Sequence, residues 1–433
     1  MVKKSRLWWR RRLFLSLIVK WLSLRKREDY LRQGLLLIIL LAVISFSVGV
    51  ALAEDAAFYQ KGLSPAATSL LFTVQELSRA GKYRSAVQKI EQFNQGRTRD
   101  LPPLLGFVAA NLNFQLGNYH KSVSFYRKVV VAAPDFGQAL ENYGMALLQV
   151  EDYKAASRIL LQAAAKVPKK SAQLRYKAAI AALYAGDYKR ARSLLVALTT
   201  TPAETLSSPP PAAWLKALIQ VDWQLSDPQA ALMVGGRLVD LYPGEISHWQ
   251  LYGQVAVAAE GWRKALAAYR VLQVEGHITI KERKLMAAIY QQLELFTDAA
   301  EVLTKVYAED EPEAQELKQL VLLYRQIGQT AKALKTLTRL QKLYPDPMNL
   351  FMRGEILYAA GRYREAAEIF MALDKIPEDD GRQFILAGYC AWNLDDFPGA
   401  ASSWQQAAKY PAWQKQAQEL LQTLKPWLKS KDS

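Results

Sequence analysis

The chain has 433 residues, 51% of them apolar and 22% charged, a balance that excludes wholesale disorder. Its formal charge of +16 is unevenly placed: +9 belongs to residues 1–53, where eleven Lys/Arg face only Glu28 and Asp29, so a membrane role is favoured over nucleic-acid binding. Cys390 is the single cysteine, and His120, His248 and His277 share no ligand spacing, so no intramolecular disulfide, metal or other cofactor is expected.

Residues 1–33 interleave bases with Leu7, Trp8, Trp9, Leu13, Phe14, Leu17, Ile18, Trp21 and Leu22, the pattern of an amphipathic segment on an anionic cytoplasmic leaflet. Arg11-Arg12-Leu13-Phe14-Leu15 echoes a twin-arginine export signal, but further bases separate it from the apolar core such a signal needs. Residues 34–53 form an uncharged apolar run of twenty, long enough to span a bilayer, which needs roughly 20 residues. The run ends in Ala51-Leu52-Ala53 before Glu54, a small-x-small signal-peptidase site, so a transmembrane anchor and a cleaved signal both remain open. In either case the basic flank precedes the run, and the positive-inside rule sends everything after it across the membrane. In a bacterium with two membranes the destination is the periplasm, with the chain either anchored in the inner membrane or free after cleavage.

From there a short phrase recurs: a turn residue, a polar residue, often an aromatic, two more polar residues, then a small residue opening an apolar helix. It reads GKYRSA ending at Ala86, GNYHKS at Ser122, EDYKAA at Ala156, GDYKRA at Ala191 and SDPQAA at Ala231. It continues as EGWRKA at Ala265, ELFTDA at Ala299, GQTAKA at Ala333, GRYREA at Ala366 and DDFPGA at Ala400. Gly144, Gly253, Gly354 and Gly388 stand twelve residues before their anchors, where one helix presses on the next. Pro134, Pro168, Pro243 and Pro345 stand twelve after, where they stop the second helix. Tyr126, Leu160, Leu195, Tyr269, Leu303, Leu337, Phe370 and Trp404 stand four after, on the same helical face as the anchor.

A period near 34 with these positions resembles the tetratricopeptide (TPR) repeat. The resemblance implies an all-α, right-handed superhelical solenoid of about ten helix pairs, and the apolar run places one N-terminal transmembrane or signal helix before it. Residues 63–200 and 212–429 read as N- and C-terminal arrays, the latter closed by a capping helix over 411–429. Between them the Pro-rich segment 201–211, TPAETLSSPPP, lengthens one interval and reads as a linker and subdomain boundary.

In the TPR pattern, set positions of the first helix of each pair face a peptide-binding groove. They fall here on Lys216, Gln220, Trp223, Gln250, Gln254, Lys281, Lys284, Gln291, Lys318 and Arg325, then on Phe351, Glu355, Tyr358, Arg382, Tyr389, Trp392 and Asn393. Long bases, amides and aromatics suit an extended, partly acidic peptide. Charge reversal at Lys281 and Lys284 together is expected to weaken such binding and leave the array folded. Asn111 occupies a position used by TPR carboxylate clamps, but Phe107 stands where the clamp needs lysine, which argues against that mode.

No phosphate loop, GxSxG elbow, HExxH or paired metal motif occurs, and the repeats leave no room for a catalytic domain. A non-catalytic protein-binding scaffold is therefore expected, with no small-molecule substrate and no nucleic acid, rather than a cell-wall hydrolase using the repeats for targeting. HWQLYGQVAVAAEGWRKALAAYRVLQVEGHIT and WQQAAKYPAWQKQAQELLQTL resemble the periplasmic TPR proteins encoded with bacterial TonB–ExbB–ExbD systems. That resemblance implies an accessory role in TonB-dependent transport with ExbB, ExbD or TonB-type partners. A scaffold for pilus, secretin or exopolysaccharide assembly is the alternative.

Overall fold

The computed structural model describes residues 59–60, 62–95, 100–200, 209–373 and 381–429. The basic segment, the apolar run with Ala51, Ala53 and Glu54, and most of the Pro-rich linker lie outside them. Among the described residues there are twenty-one α-helices and no strand. None of these helices is long and apolar enough to cross a membrane.

The helices come in pairs, each a first (A) and second (B) helix. Pairs one to four are α1 Pro65–Arg79 with α2 Tyr83–Asn94, α3 Pro103–Gln115 with α4 Tyr119–Ala132, α5 Gly137–Gln149 with α6 Tyr153–Lys166, and α7 Ser171–Tyr184 with α8 Tyr188–Thr200. Pairs five to seven are α9 Ala212–Gln224 with α10 Pro228–Leu241, α11 Ile246–Ala258 with α12 Trp262–Val274, and α13 Ile280–Gln292 with α14 Phe296–Glu309. Pairs eight to ten are α15 Ala314–Gln326 with α16 Thr330–Leu343, α17 Pro347–Ala359 with α18 Tyr363–Ala372, and α19 Arg382–Asn393 with α20 Phe397–Ala407. The terminal helix α21, Gln414–Lys429, follows. Four B helices end at Ala132, Lys166, Leu241 and Leu343, each two residues before the proline that stops it.

The recurring phrase is the A-to-B turn. Its first residue has positive φ in every one of the ten pairs: Gly81, Gly117, Glu151, Gly186, Ser226, Glu260, Glu294, Gly328, Gly361 and Asp395. The following amide reaches back five residues, as Asp152 N does to Leu147 O at 3.0 Å and Arg362 N to Leu357 O at 2.9 Å. This closure satisfies carbonyls that the end of helix A would leave orphaned. Asp152, Asp187, Asp227 and Asp396 then accept a hydrogen bond from the amide three residues on and start helix B.

All ten anchor residues, from Ala86 to Ala400, are fully buried. The large residues four positions later are buried too, Tyr126, Leu160, Leu195 and Phe370 completely. Each such knob needs a gap on helix A. A methyl on Gly144 would lie 2.6 Å from the Leu160 side chain, so only glycine lets that knob seat.

Two compact units divide at Val234–Gly235. In the first, each helix from α1 to α9 packs on its chain neighbours, and one core cluster joins α7 and α8 to α9 across the Pro-rich interval. The same interval is bridged by Arg192 on α8, whose Nε donates to the buried Asp222 on α9 at 2.7 Å. In the second unit each helix from α11 to α21 packs on its neighbours, and α21 covers the last pair with Ala417 and Leu424.

Candidate partner-binding face

Every residue expected on the groove lies on an A helix. In the first unit, Lys216 is exposed on α9, with Gln220 and Trp223 half-buried one and two turns on. In the second unit, Gln250 and Gln254 lie half-buried on α11, and Lys281 is exposed at the start of α13.

Three of the remaining second-unit cations, Lys284, Lys318 and Arg325, are engaged by acids. Lys284 Nζ sits 2.9 Å from Glu316 and 3.1 Å from Asp310, 5.7 Å from the Tyr307 ring centroid. Burial by itself would lower the Lys284 pKa, but the hydrogen bonds to Glu316 and Asp310 outweigh it and the value is raised. Lys318 pairs with Asp346 at 3.3 Å and Arg325 with Glu355 at 3.9 Å. Arg283, beside Lys284, forks onto Glu309, whose carboxyl that hydrogen bond holds below its ordinary range. Gln291 accepts from Gln319 Nε2 at 3.2 Å. Half of the cationic row read from the sequence, Lys284, Lys318 and Arg325, is thus paired with acids within the array. Reversing Lys284 would set three acids together, so its replacement disturbs the fold as well as the face.

The aromatic positions divide similarly. Phe351 is not on the surface: it is buried against Phe370, ring centroids 5.6 Å apart, with the Arg382 guanidinium 5.8 Å from its own centroid. Trp392 packs among Phe397, Trp404 and Trp427, and Tyr389 lies edge-on to Trp404 at 5.6 Å. These rings close the C-terminal end of the second unit. Asn393 donates to Tyr389 O at 2.8 Å, and Tyr358, half-buried, lies edge-on to Tyr363. Burial raises the Tyr358 phenol above its ordinary pKa.

In the first unit, Asn111 accepts from the Tyr126 hydroxyl and from Asn142 Nδ2 at 3.0 Å, so its carbonyl oxygen is committed internally. Phe107 is a core ring against Phe136. Glu141, unremarked in the sequence, gathers Lys170 at 2.9 Å and Lys177 at 3.4 Å on the same unit. Its two bases lie about one repeat ahead, a spacing that could have signalled the cluster.

Cys390 is buried, and desolvation pushes its thiol up to about 12. His248 is buried beside Tyr242, its Nδ1 at 3.3 Å from Tyr242 O, while His120 and His277 are exposed. No group of three or more His, Cys, Asp or Glu able to hold a metal occurs among the described residues.

Among curated protein sequences, none matches the chain. Solved structures with similar folds include a tetratricopeptide repeat protein from Parabacteroides merdae ATCC 43184, 16% identical, covering 59% of this chain and 99% of its own, with a TM-score of 0.31. MamA from Desulfovibrio magneticus RS-1 is 17% identical over 45% of this chain and 99% of its own, TM-score 0.32. The Naa15/Naa10 complex bound to HypK-THB is 14% identical over 92% of this chain and 75% of its own, TM-score 0.39. The tetratricopeptide repeat family profile matches residues 318–380, which run from α15 through α18, so this stretch of paired helices is similar to that family in sequence as well as in its turns and knobs.

Proposed function

We propose that the chain is a non-catalytic scaffold that binds other proteins in the bacterial envelope through the A-helix face of its second unit. The observation that supports this reading most is that the face is set in place beforehand. Lys284 and Lys318 are held by Glu316 and Asp346 of the next pair, and Gln291 by Gln319, so a partner would meet side chains that lose little freedom on binding. Gln250, Gln254 and Lys281 complete that face, and in the first unit Lys216, Gln220 and Trp223 stand at the equivalent positions. The apolar run over 34–53, as anchor or cleaved signal, would deliver the repeats to the periplasm, and the role we favour there is accessory to TonB-dependent transport.

Photo-crosslinking in intact envelopes tests this. A crosslinking residue at Gln254 or Lys281 is expected to capture ExbB, ExbD or a TonB-type protein, and the same residue at Lys264 on helix B is not. Capture of pilus, secretin or polysaccharide-export components would replace transport by envelope assembly. Equal capture from Lys264 would remove the A-helix face as the binding surface.

A further inference from the structure

The B-helix side of the second unit carries a different arrangement of charge. A cleft of about 620 Å³ opens between α14 and α16, floored by α15. Five bases line it: Lys305 from α14 and Lys332, Lys335, Arg339 and Lys342 from α16, with Glu301 the only acid. Helix α16 has no acidic residue along its length.

The floor is built and apolar. Leu320, Tyr307 and Tyr324 are buried there. The Tyr324 hydroxyl shares a 2.5 Å hydrogen bond with Thr304 Oγ1, and Arg339 Nη1 donates to Tyr307 O at 2.8 Å. Lys332 stands over the Tyr324 ring, 5.6 Å from its centroid. Those contacts hold the walls in place. By contrast, Lys305, Lys335 and Lys342 have no ion-pair partner among the described residues, whereas Lys284, Lys318 and Arg325 on the A side all have one.

From this contrast we infer that the α14–α16 cleft is a second docking site, for an acidic peptide segment that seats one apolar side chain on the Tyr324–Leu320 floor. Unneutralised bases around a concave apolar base complement acids flanking a hydrophobic anchor. A planar anionic membrane would meet the rim lysines but leave the floor unfilled.

The test uses the full chain in mild detergent and a short fluorescein-labelled peptide of aspartates and glutamates flanking one leucine, read by anisotropy. Saturable binding is expected, weakened about tenfold or more by K335E/K342E. The charge-matched control K264E/K415E, at exposed sites elsewhere, should bind as the unaltered chain does. Changing the peptide's leucine to serine should weaken binding as well. Equal weakening by both double variants, or none by K335E/K342E, would overturn the proposal. So would bicelles of phosphatidylglycerol binding in a K335E/K342E-sensitive way while the peptide does not bind, which would assign the cleft to a lipid surface.

Discussion

Gly354 and Phe370 meet so closely that a methyl on the glycine would lie 2.5 Å from the ring's Cε1 and 2.8 Å from its Cζ. Phe370 is fully buried and cannot swing away. Alanine in a helix interior gains about 1 kcal/mol over glycine, but overpacking a filled core costs about 1–3 kcal/mol. Gly354→Ala should therefore lower stability in urea unfolding, and adding Phe370→Leu should restore much of the loss. A rise in stability for Gly354→Ala alone would mean the helices can part there freely.

Glu260 and Glu294 hold φ of 54° and 60° at their turns, where five other pairs of the array use glycine. A side chain in that left-handed region costs about 1–2 kcal/mol, while glycine gives back about 0.5–1 kcal/mol through its freer unfolded chain. Glu260→Gly and Glu294→Gly should each stabilise by up to about 1.5 kcal/mol on these two magnitudes, and their effects should add because the turns are distant. Paired thermal melts would reveal it.

Asp222 is 1% exposed and relies on Arg192, itself 42% exposed. Arg192→Met leaves the carboxylate buried without its cation. Breaking a buried pair costs about 3–5 kcal/mol, but screening at the exposed guanidinium trims this to about 1–3 kcal/mol. Denaturant unfolding of the first unit's helices would measure it.

Burial also raises the Asp222 pKa, and the Arg192 hydrogen bond only partly pulls it back. A carboxyl raised in the folded state supplies stability while protonated and loses it as pH climbs through the folded value. The stability of Asp222→Asn relative to the unaltered chain should therefore grow from acid pH towards neutrality. A gap that shrinks over that range would mean that the ion pair, not burial, dominates.

Cys390, with its thiol pushed up to about 12, should resist maleimide at pH 8 in the folded chain and react as α19 opens. Labelling should thus follow the same denaturant curve as loss of helix.

Much of the fold could be read directly, because it is encoded locally. The turn residue, the anchor, the knob and its glycine lie within a few helical turns of each other, so spacing alone places Gly144 against Leu160. The proposed binding face is less legible. Lys284 looks like a free surface base until Asp310, at the end of α14, and Glu316, on α15 of the next repeat, are set beside it. Phe351 shares the groove periodicity yet is buried against Phe370, as an apolar ring gains by leaving water. The α14–α16 cleft lies away from the A-helix positions that the TPR pattern marks, although α16 alone, with four bases and no acid, is a signal in the sequence.

The knobs and the ion pairs of the second unit differ in reach. Phe370 and Gly354 belong to one repeat, as do Tyr269 and Gly253, whereas Lys284, Lys318 and Arg325 each extend to the one that follows. Shape identifies a repeat, and charge identifies its successor. Exchanging pairs eight and nine would preserve every knob while bringing Lys284 to a neighbour without Glu316, so the array carries its own sequence order as an address between adjacent modules.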